Sequence, residues 1–173
     1  MNAGPAVRLV RLPTKAMVAL EAGDRTSASR EAGVELSDFL AGEECAWLWR
    51  IRLKQIAEDP DSAEWVARAG LTVPDGVAVG HAGFHGPPDE TGMVEVGYTV
   101  DPKHRRRGYA RAMLRELIAW AGRDPRVTTV RAAISPDNVA SLGTIRGFGF
   151  AQVGEQWDEE DGLEIIHELA LRA

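Results

Sequence analysis

The sequence predicts a mixed α/β fold of the α+β kind, with a mostly antiparallel central sheet of about six to seven strands and helices on both faces. Three observations carry that prediction. First, β-type runs at residues 64–69, 77–84 and 93–100 are separated only by Pro-Asp-Gly and Gly-Pro-Pro-Asp-Glu-Thr-Gly, turns short enough to imply an antiparallel meander. Second, residues 108–122 place Ala110, Met113, Leu114, Leu117, Ile118 and Ala121 on one helical stripe. Third, from residue 93 to residue 171 the runs alternate as β-α-β-α-β-β.

Taken in order, residues 7–12 alternate apolar with basic side chains as a short strand does, and the Ala-rich stretch after Pro13 reads as a helix. Residues 23–33 mix Ser, Thr, Gly and charges, which predicts a loop running into a helix near residues 35–40. Trp47, Trp49, Ile51 and Leu53 alternate like a strand. Trp49, Leu53 and Ile56 nevertheless share a helical stripe, and the Glu, Lys and Gln content favours a helix ending before Pro60. Within residues 93–100, Val94, Val96, Tyr98 and Val100 fall on one face and Met93, Glu95, Gly97 and Thr99 on the other, so Glu95 is an acid inside a strand. Gly122 is placed to stop the amphipathic helix. Residues 127–134 are β-rich, Asn138 reads as the N-cap of a short helix through Arg146, and residues 148–153 and 163–171 supply two last strands. No repeat, low-complexity tract or linker divides the chain, so residues 1–173 are read as a single domain.

Composition narrows the partners. With 26 acidic against 20 basic residues the net charge is -6, so the surface as a whole repels nucleic acid and anionic membranes, and neither is expected as a partner. The single cysteine, Cys45, forms no internal disulfide, and no leader or long apolar run is present, which points to the cytoplasm. Cys45 has no adjacent base and reads as structural. Metal-ligand spacing is absent, so no metal is expected, and a homodimer is left open.

Against this acidic background, Lys103, His104, Arg105, Arg106, Arg107 and Arg111 form a local positive field. A strand ending at Val100, a Pro-containing turn and Arg-x-x-Gly-x-Ala lead into the best helix of the chain. The first N–H groups of a helix lack intrahelical partners and its dipole favours negative charge there, so this junction suits an anion. Gly108 and Ala110 keep the approach unobstructed. A Walker loop is ruled out by the lack of Gly-Lys-Ser/Thr, and a dinucleotide fingerprint by the lack of Gly-x-Gly-x-x-Gly.

At these residues the chain resembles the GNAT superfamily of acyl-CoA-dependent N-acetyltransferases, whose motif Gln/Arg-x-x-Gly-x-Gly/Ala is matched by Arg105, Gly108 and Ala110. Gly80 with Phe84, then Glu95-Val96-Gly97-Tyr98-Thr99-Val100, Asp137-Asn138 with Ser141, and Gly149-Phe150 resemble successive landmarks of that fold. The branch most similar is that of ribosomal-protein N-terminal acetyltransferases of RimJ/RimL type, through Glu-x-Gly-Tyr and Gly-Tyr-Ala. The resemblance implies a GNAT-like sheet whose central strands, residues 93–100 and 127–134, splay to admit acetyl-CoA as cosubstrate. It further implies that Thr99 and Val100 hold the pantetheine arm, that Arg105, Arg106, Arg107, Gly108, Tyr109, Ala110 and Arg111 carry the pyrophosphate, and that Asn138 and Ser141 meet the pantetheine or the thiol end. By their own pattern, Asn138 is an N-cap and Ser141 a first-turn residue.

The activity so implied is acetyl transfer to a primary amine, on a small molecule or a protein N-terminus, by direct attack in a ternary complex. A catalytically weak CoA-binding regulatory module is the alternative. An α-amino group has a pKa of about 7.7–8.0 and a lysine amine about 10.4, so a base is useful. Glu95 is the leading candidate base; binding the substrate ammonium or a structural hydrogen bond are its other readings. His81 and His85 come next. Many family members carry a Tyr four residues before the Gly of the final Gly-Phe to protonate the leaving thiolate, but Ile145 stands there. Trp47, Trp49 and Trp65 read as core, with the lining of an apolar substrate pocket as their other reading, and Glu155, Asp158, Glu159, Glu160 and Asp161 around Trp157 read as a solvated hairpin loop able to attract a cationic amine.

Overall fold

In the computed structural model, which describes residues 4–172, strand β1 (Val7–Arg11) runs into α1 (Thr14–Glu21) across Pro13, whose fixed φ is suited to a helix start. A second helix, α2 (Arg25–Ala32), occupies most of the segment expected to be loop. Its signals are local: the Asp24 carboxylate accepts the Ser27 N–H at 2.9 Å, and Gly33 closes the helix at φ 69. The helix expected near residues 35–40 is absent. Leu36 and Leu40 are both buried there, but in turns held by the Ser29 and Ser37 hydroxyls, so their spacing imitated a helical stripe.

Next comes α3 (Glu43–Glu58), the helix favoured over a strand, with Cys45 and Trp49 turned inward. Residue 64 lies not in a strand but in a 3-10 turn (Pro60–Glu64), capped by Asp59, so β2 begins only at Arg68 (Arg68–Thr72). Strands β3 (Ala78–Phe84) and β4 (Met93–Val100) complete the meander. After a 3-10 turn (Pro102–His104) follow α4 (Tyr109–Ala121), β5 (Thr129–Ile134), α5 (Val139–Ile145), β6 (Ala151–Asp158) and β7 (Gly162–Ala170). Strand β6 starts three residues later than the apolar run suggested, because Phe148 and Phe150 pack on the core beside it instead of pairing.

The seven strands form one sheet in the order β1-β2-β3-β4-β5-β7-β6, antiparallel throughout except for β4 beside β5. Each face is covered by helices. On one side Met113, Leu114, Leu117 and Ala121 of α4 bury Phe84, Val94 and Val96; on the other Met17, Leu20, Leu40 and Trp49 bury Ala69, Leu71 and Ala78. Fully burying a side chain of this size contributes roughly 1.5–3 kcal/mol, so both faces matter to stability.

Candidate active site

Strands β4 and β5 are in register only where Met93, Val94 and Glu95 face Thr129, Val130 and Arg131. Beyond that point β5 stays paired with β7 as far as Ile134, while residues 96–100 stay paired with β3. The two parallel strands therefore part at their carboxyl ends. The Glu95 carbonyl accepts the His85 N–H, and the Asp101 N–H donates to the Val79 carbonyl, both towards β3. By the alternation of a ladder, the N–H groups of Val96, Tyr98 and Val100 point into the opening.

A cavity of about 620 Å³ lies along this opening and the start of α4. Of the residues singled out for a cofactor, Thr99, Val100, Arg105, Arg106, Gly108, Tyr109, Ala110, Arg111, Asn138 and Ser141 line it; Arg107 is exposed and does not. Arg106 (φ 60) and Gly108 (φ 84) are both left-handed and turn the loop sharply into the helix. No side chain caps α4, so the amides of its first turn remain available at the cavity wall. The glycine is required for its backbone more than for room beside a ligand: a Cβ at Gly108 would meet Pro5 Cδ at 3.1 Å, on the N-terminal segment.

Two of the basic side chains are occupied within the protein. The Arg111 guanidinium donates to the Thr144 and Arg146 carbonyls at 2.9 and 2.6 Å and lies over the Phe148 ring, tying α4 to α5. Arg105 Nε donates to the Val100 carbonyl at 3.3 Å. Asn138 is the N-cap expected of it, its Oδ1 accepting the Ser141 N–H at 3.0 Å.

On the far side of the splay a cavity of about 440 Å³ is walled by Glu95, Asp158, Asp161 and Glu164, the last three from the β6–β7 hairpin. His85 and Glu95, read as alternatives in the sequence, are neighbours here: His85 Nδ1 lies 3.2 Å from Glu95 Oε1. Gly97 makes the pairing possible, since a Cβ there would sit 3.1 Å from His85 Nε2. Arg52 and Gln55 of α3 donate to the His85 carbonyl at 3.3 and 2.6 Å and hold that loop in place.

A third cavity, about 210 Å³, opens between α3 and the β3–β4 pair, with Trp47, Arg52, His81 and His85 around it. Trp47 is thus a wall residue, 53% exposed, whereas Trp49 and Trp65 are core. His81 is wedged between Phe39 and Trp49 at ring distances of 6.3 and 5.7 Å. Burial, helped by the Arg52 charge, pushes its pKa down to about 4, so it is neutral near pH 7. Cys45 is buried and its thiol is pushed up to about 11, chiefly by burial, which makes it unreactive.

By its alternation Tyr98 shares the face of Val94 and Val96, and the family resemblance uses it as a landmark without giving it a role. Its ring does pack against the α4 side, but its hydroxyl reaches the cavity wall, buried and without a hydrogen-bond partner. Periodicity gives the face of a strand residue and not what lies at the tip of a long side chain. Among the described residues no helix is long and apolar enough to cross a membrane.

Comparison with known proteins bears on this architecture. Residues 29–151 match the acetyltransferase (GNAT) domain. The chain is 40% identical over 72 residues to the uncharacterized N-acetyltransferase YjdG of Bacillus subtilis, spanning 42% of this chain and 43% of that protein. It is 37% identical over 83 residues to the N-alpha-acetyltransferase RimI of Mycobacterium tuberculosis, spanning 46% and 49%. The chain thus spans under half the length of these relatives. Among solved structures, the microcin C7 self-immunity acetyltransferase MccE, in complex with acetyl-CoA and AMP, is similar at TM-score 0.65 and 12% identity, covering 95% of this chain and 92% of that one. The ribosomal-protein-S5-alanine acetyltransferase from Vibrio fischeri is similar at TM-score 0.62 and 17% identity, covering 95% and 91%. At such identities the likeness is one of fold.

Proposed function

This chain belongs to the acetyltransferase (GNAT) family, and we propose that it is an acetyl-CoA-dependent N-acetyltransferase whose residues 1–173 act as one catalytic domain. The observation that carries this reading is the meeting, at the β4–β5 splay, of a cavity walled by unsatisfied helix amides with a cavity walled by carboxylates. The first fits a pyrophosphate and the arm that follows it; the second fits an amine. Acetyl-CoA supplies the activated acyl group.

In this reading the first-turn amides of α4, with Arg105, Arg106 and Arg107 nearby, hold the diphosphate. The N–H groups of Val96, Tyr98 and Val100 on the open edge bind the amide arm, and that of Val100 stabilises charge on the thioester carbonyl oxygen. Asn138 and Ser141 close the opposite wall. Glu95 takes the proton from the attacking amine, with His85 beside it to pass the proton to water. His81, neutral near pH 7 and wedged between two aromatic rings at the separate cavity beside α3, is not the base.

The acceptor is a primary amine with further positive charge, on a small molecule or at a protein N-terminus, because Asp158, Asp161 and Glu164 surround its path. We place the chain near the RimJ/RimL-type branch on its Glu95-Val96-Gly97-Tyr98 and Gly108-Tyr109-Ala110 segments. The test is release of CoA thiol from acetyl-CoA in the presence of a panel of polyamines, aminoglycosides and basic N-terminal peptides. Turnover on one class identifies the acceptor. Tight acetyl-CoA binding with turnover on none would instead support a CoA-binding regulatory module, the reading favoured by Ile145 in place of the usual acid.

A further inference from the structure

The Tyr98 hydroxyl is buried and has no partner in good hydrogen-bonding geometry; the Ser141 and Thr144 hydroxyls lie near it without satisfying it, so a ligand that supplied the partner would be favoured. Among the described residues Tyr98 is the one that lines all three cavities, and with Ser141 it forms the boundary between the amide-walled cavity and the acidic one. A thioester reaching from the start of α4 towards Glu95 has to cross that boundary. The position four residues before Gly149 offers no alternative donor: Ile145 is an aliphatic side chain, 5% exposed, packed in the core.

We propose that Tyr98 is the proton donor to the CoA sulfur, replacing the acid that Ile145 cannot be. The inference rests on the acetyltransferase reading above. As the amine nitrogen bonds to the carbonyl carbon, the C–S bond breaks with its electron pair going to sulfur, and the Tyr98 phenol proton moves onto that sulfur to give the free thiol. The amine proton leaves through Glu95 to water, and the Tyr98 phenolate recovers a proton from water. Overall one amine and one thioester become one amide and one thiol.

A phenol suits this task. Its ordinary pKa of about 10 is close enough to a thiol's value of about 8.5 for a proton to be shared as sulfur charges, whereas the aliphatic hydroxyls of Ser141 and Thr144 are far weaker acids. Burial raises the Tyr98 pKa further, and the neighbouring Ser141 and Thr144 hydroxyls pull it partly back, so the proton is in place at neutral pH.

The chain has two tyrosines, so labelling tyrosine with 13C at Cζ gives two resonances, and Tyr98→Phe assigns the one that disappears. On titration with CoA the Tyr98 resonance is expected to shift, and with desulfo-CoA, which lacks the sulfur, to stay near its free position. In turnover Tyr98→Phe is expected to lower kcat by about 100-fold or more while the acetyl-CoA Kd stays within about twofold. Equal shifts with both ligands, or a variant kcat within about threefold of wild type, would overturn the proposal. If the wild-type chain acetylates no amine, the enzymatic reading fails, and the CoA against desulfo-CoA comparison still decides whether Tyr98 meets sulfur. Failure to bind CoA at all overturns both.

Discussion

Glu95 shows how much a single side chain owes to its two neighbours. Val94 and Val96 are buried under α4, and the two-residue period of the strand then turns Glu95 towards the opposite face, where His85 waits. Replacing Glu95 by Gln keeps size and hydrogen bonding and removes the charge. The expected outcome is a fall in kcat of about 100-fold or more with little change in the KM for acetyl-CoA, read by thiol release. His81 provides a pH signature of a different kind. Its folded pKa of about 4 lies below the ordinary value of about 6.5, so the unfolded chain binds its proton first. The stability this contributes is complete above pH ~6.5 and is lost as pH falls towards ~4. The ring remains partly open to the cavity, so water moderates the effect to at most about 3 kcal/mol. Melting temperatures of His81→Phe, which keeps the aromatic stack on Phe39 and Trp49, should decline less steeply across that interval than those of the wild type.

At the scale of elements, the junction of β4 with α4 concentrates the features on which the proposed cofactor site rests. The open strand edge, the left-handed residues Arg106 and Gly108, and the uncapped helix start lie within one short stretch of chain. Any L-residue at position 108 carries the left-handed strain of roughly 1–2 kcal/mol and also presses on Pro5. Gly108→Ala and Gly108→Glu are therefore expected to lose similar stability, about 2–8 °C in melting temperature. Only Gly108→Glu, which adds a negative charge beside the diphosphate, should abolish acetyl-CoA binding by calorimetry. Equal affinity in the two variants would remove the diphosphate from this site. Helix α5 is anchored from both ends, by Asn138 at its start and by Arg111 gripping the carbonyls at its end, and this holds Ser141 at the cavity boundary.

For the whole molecule, the distribution of charge matters as well as the net value of -6. Basic residues gather at the start of α4 and acidic ones at the β6–β7 hairpin, so the field is positive on one side of the splay and negative on the other. Neutralising Asp161 and Glu164 together, as Asn and Gln, should raise the KM for a dicationic amine by about three- to tenfold at low salt and flatten its dependence on ionic strength, since screening already acts within about 10 Å at 0.1 M. Steady-state KM across a salt series checks both effects, and kcat at saturating amine should change little.

Several features were legible in the sequence because they depend on short stretches of chain. The face alternation of β4, the stripe of α4 and the N-cap at Asn138 are decided by residues within a few positions of one another, and all were recognised. The arginine-glycine loop, read as a place for an anion, lies at the uncapped start of α4 beside a cavity. The helix α2 was missed because its Ser and Thr content looks like a loop until Asp24 and Gly33 are seen to cap it. What only the tertiary structure decided depends on chain segments far apart. The splay, which the family resemblance implied, has a physical cause in the pairing of β5 with β7 and of β4 with β3, and no local pattern records that competition. His85 meets Glu95, Trp47 parts company with Trp49, and the Tyr98 hydroxyl ends unpaired at the cavity boundary for the same reason. A sequence pattern determines which way a side chain leaves the backbone; the atoms it then meets are set by packing between elements that the pattern does not relate.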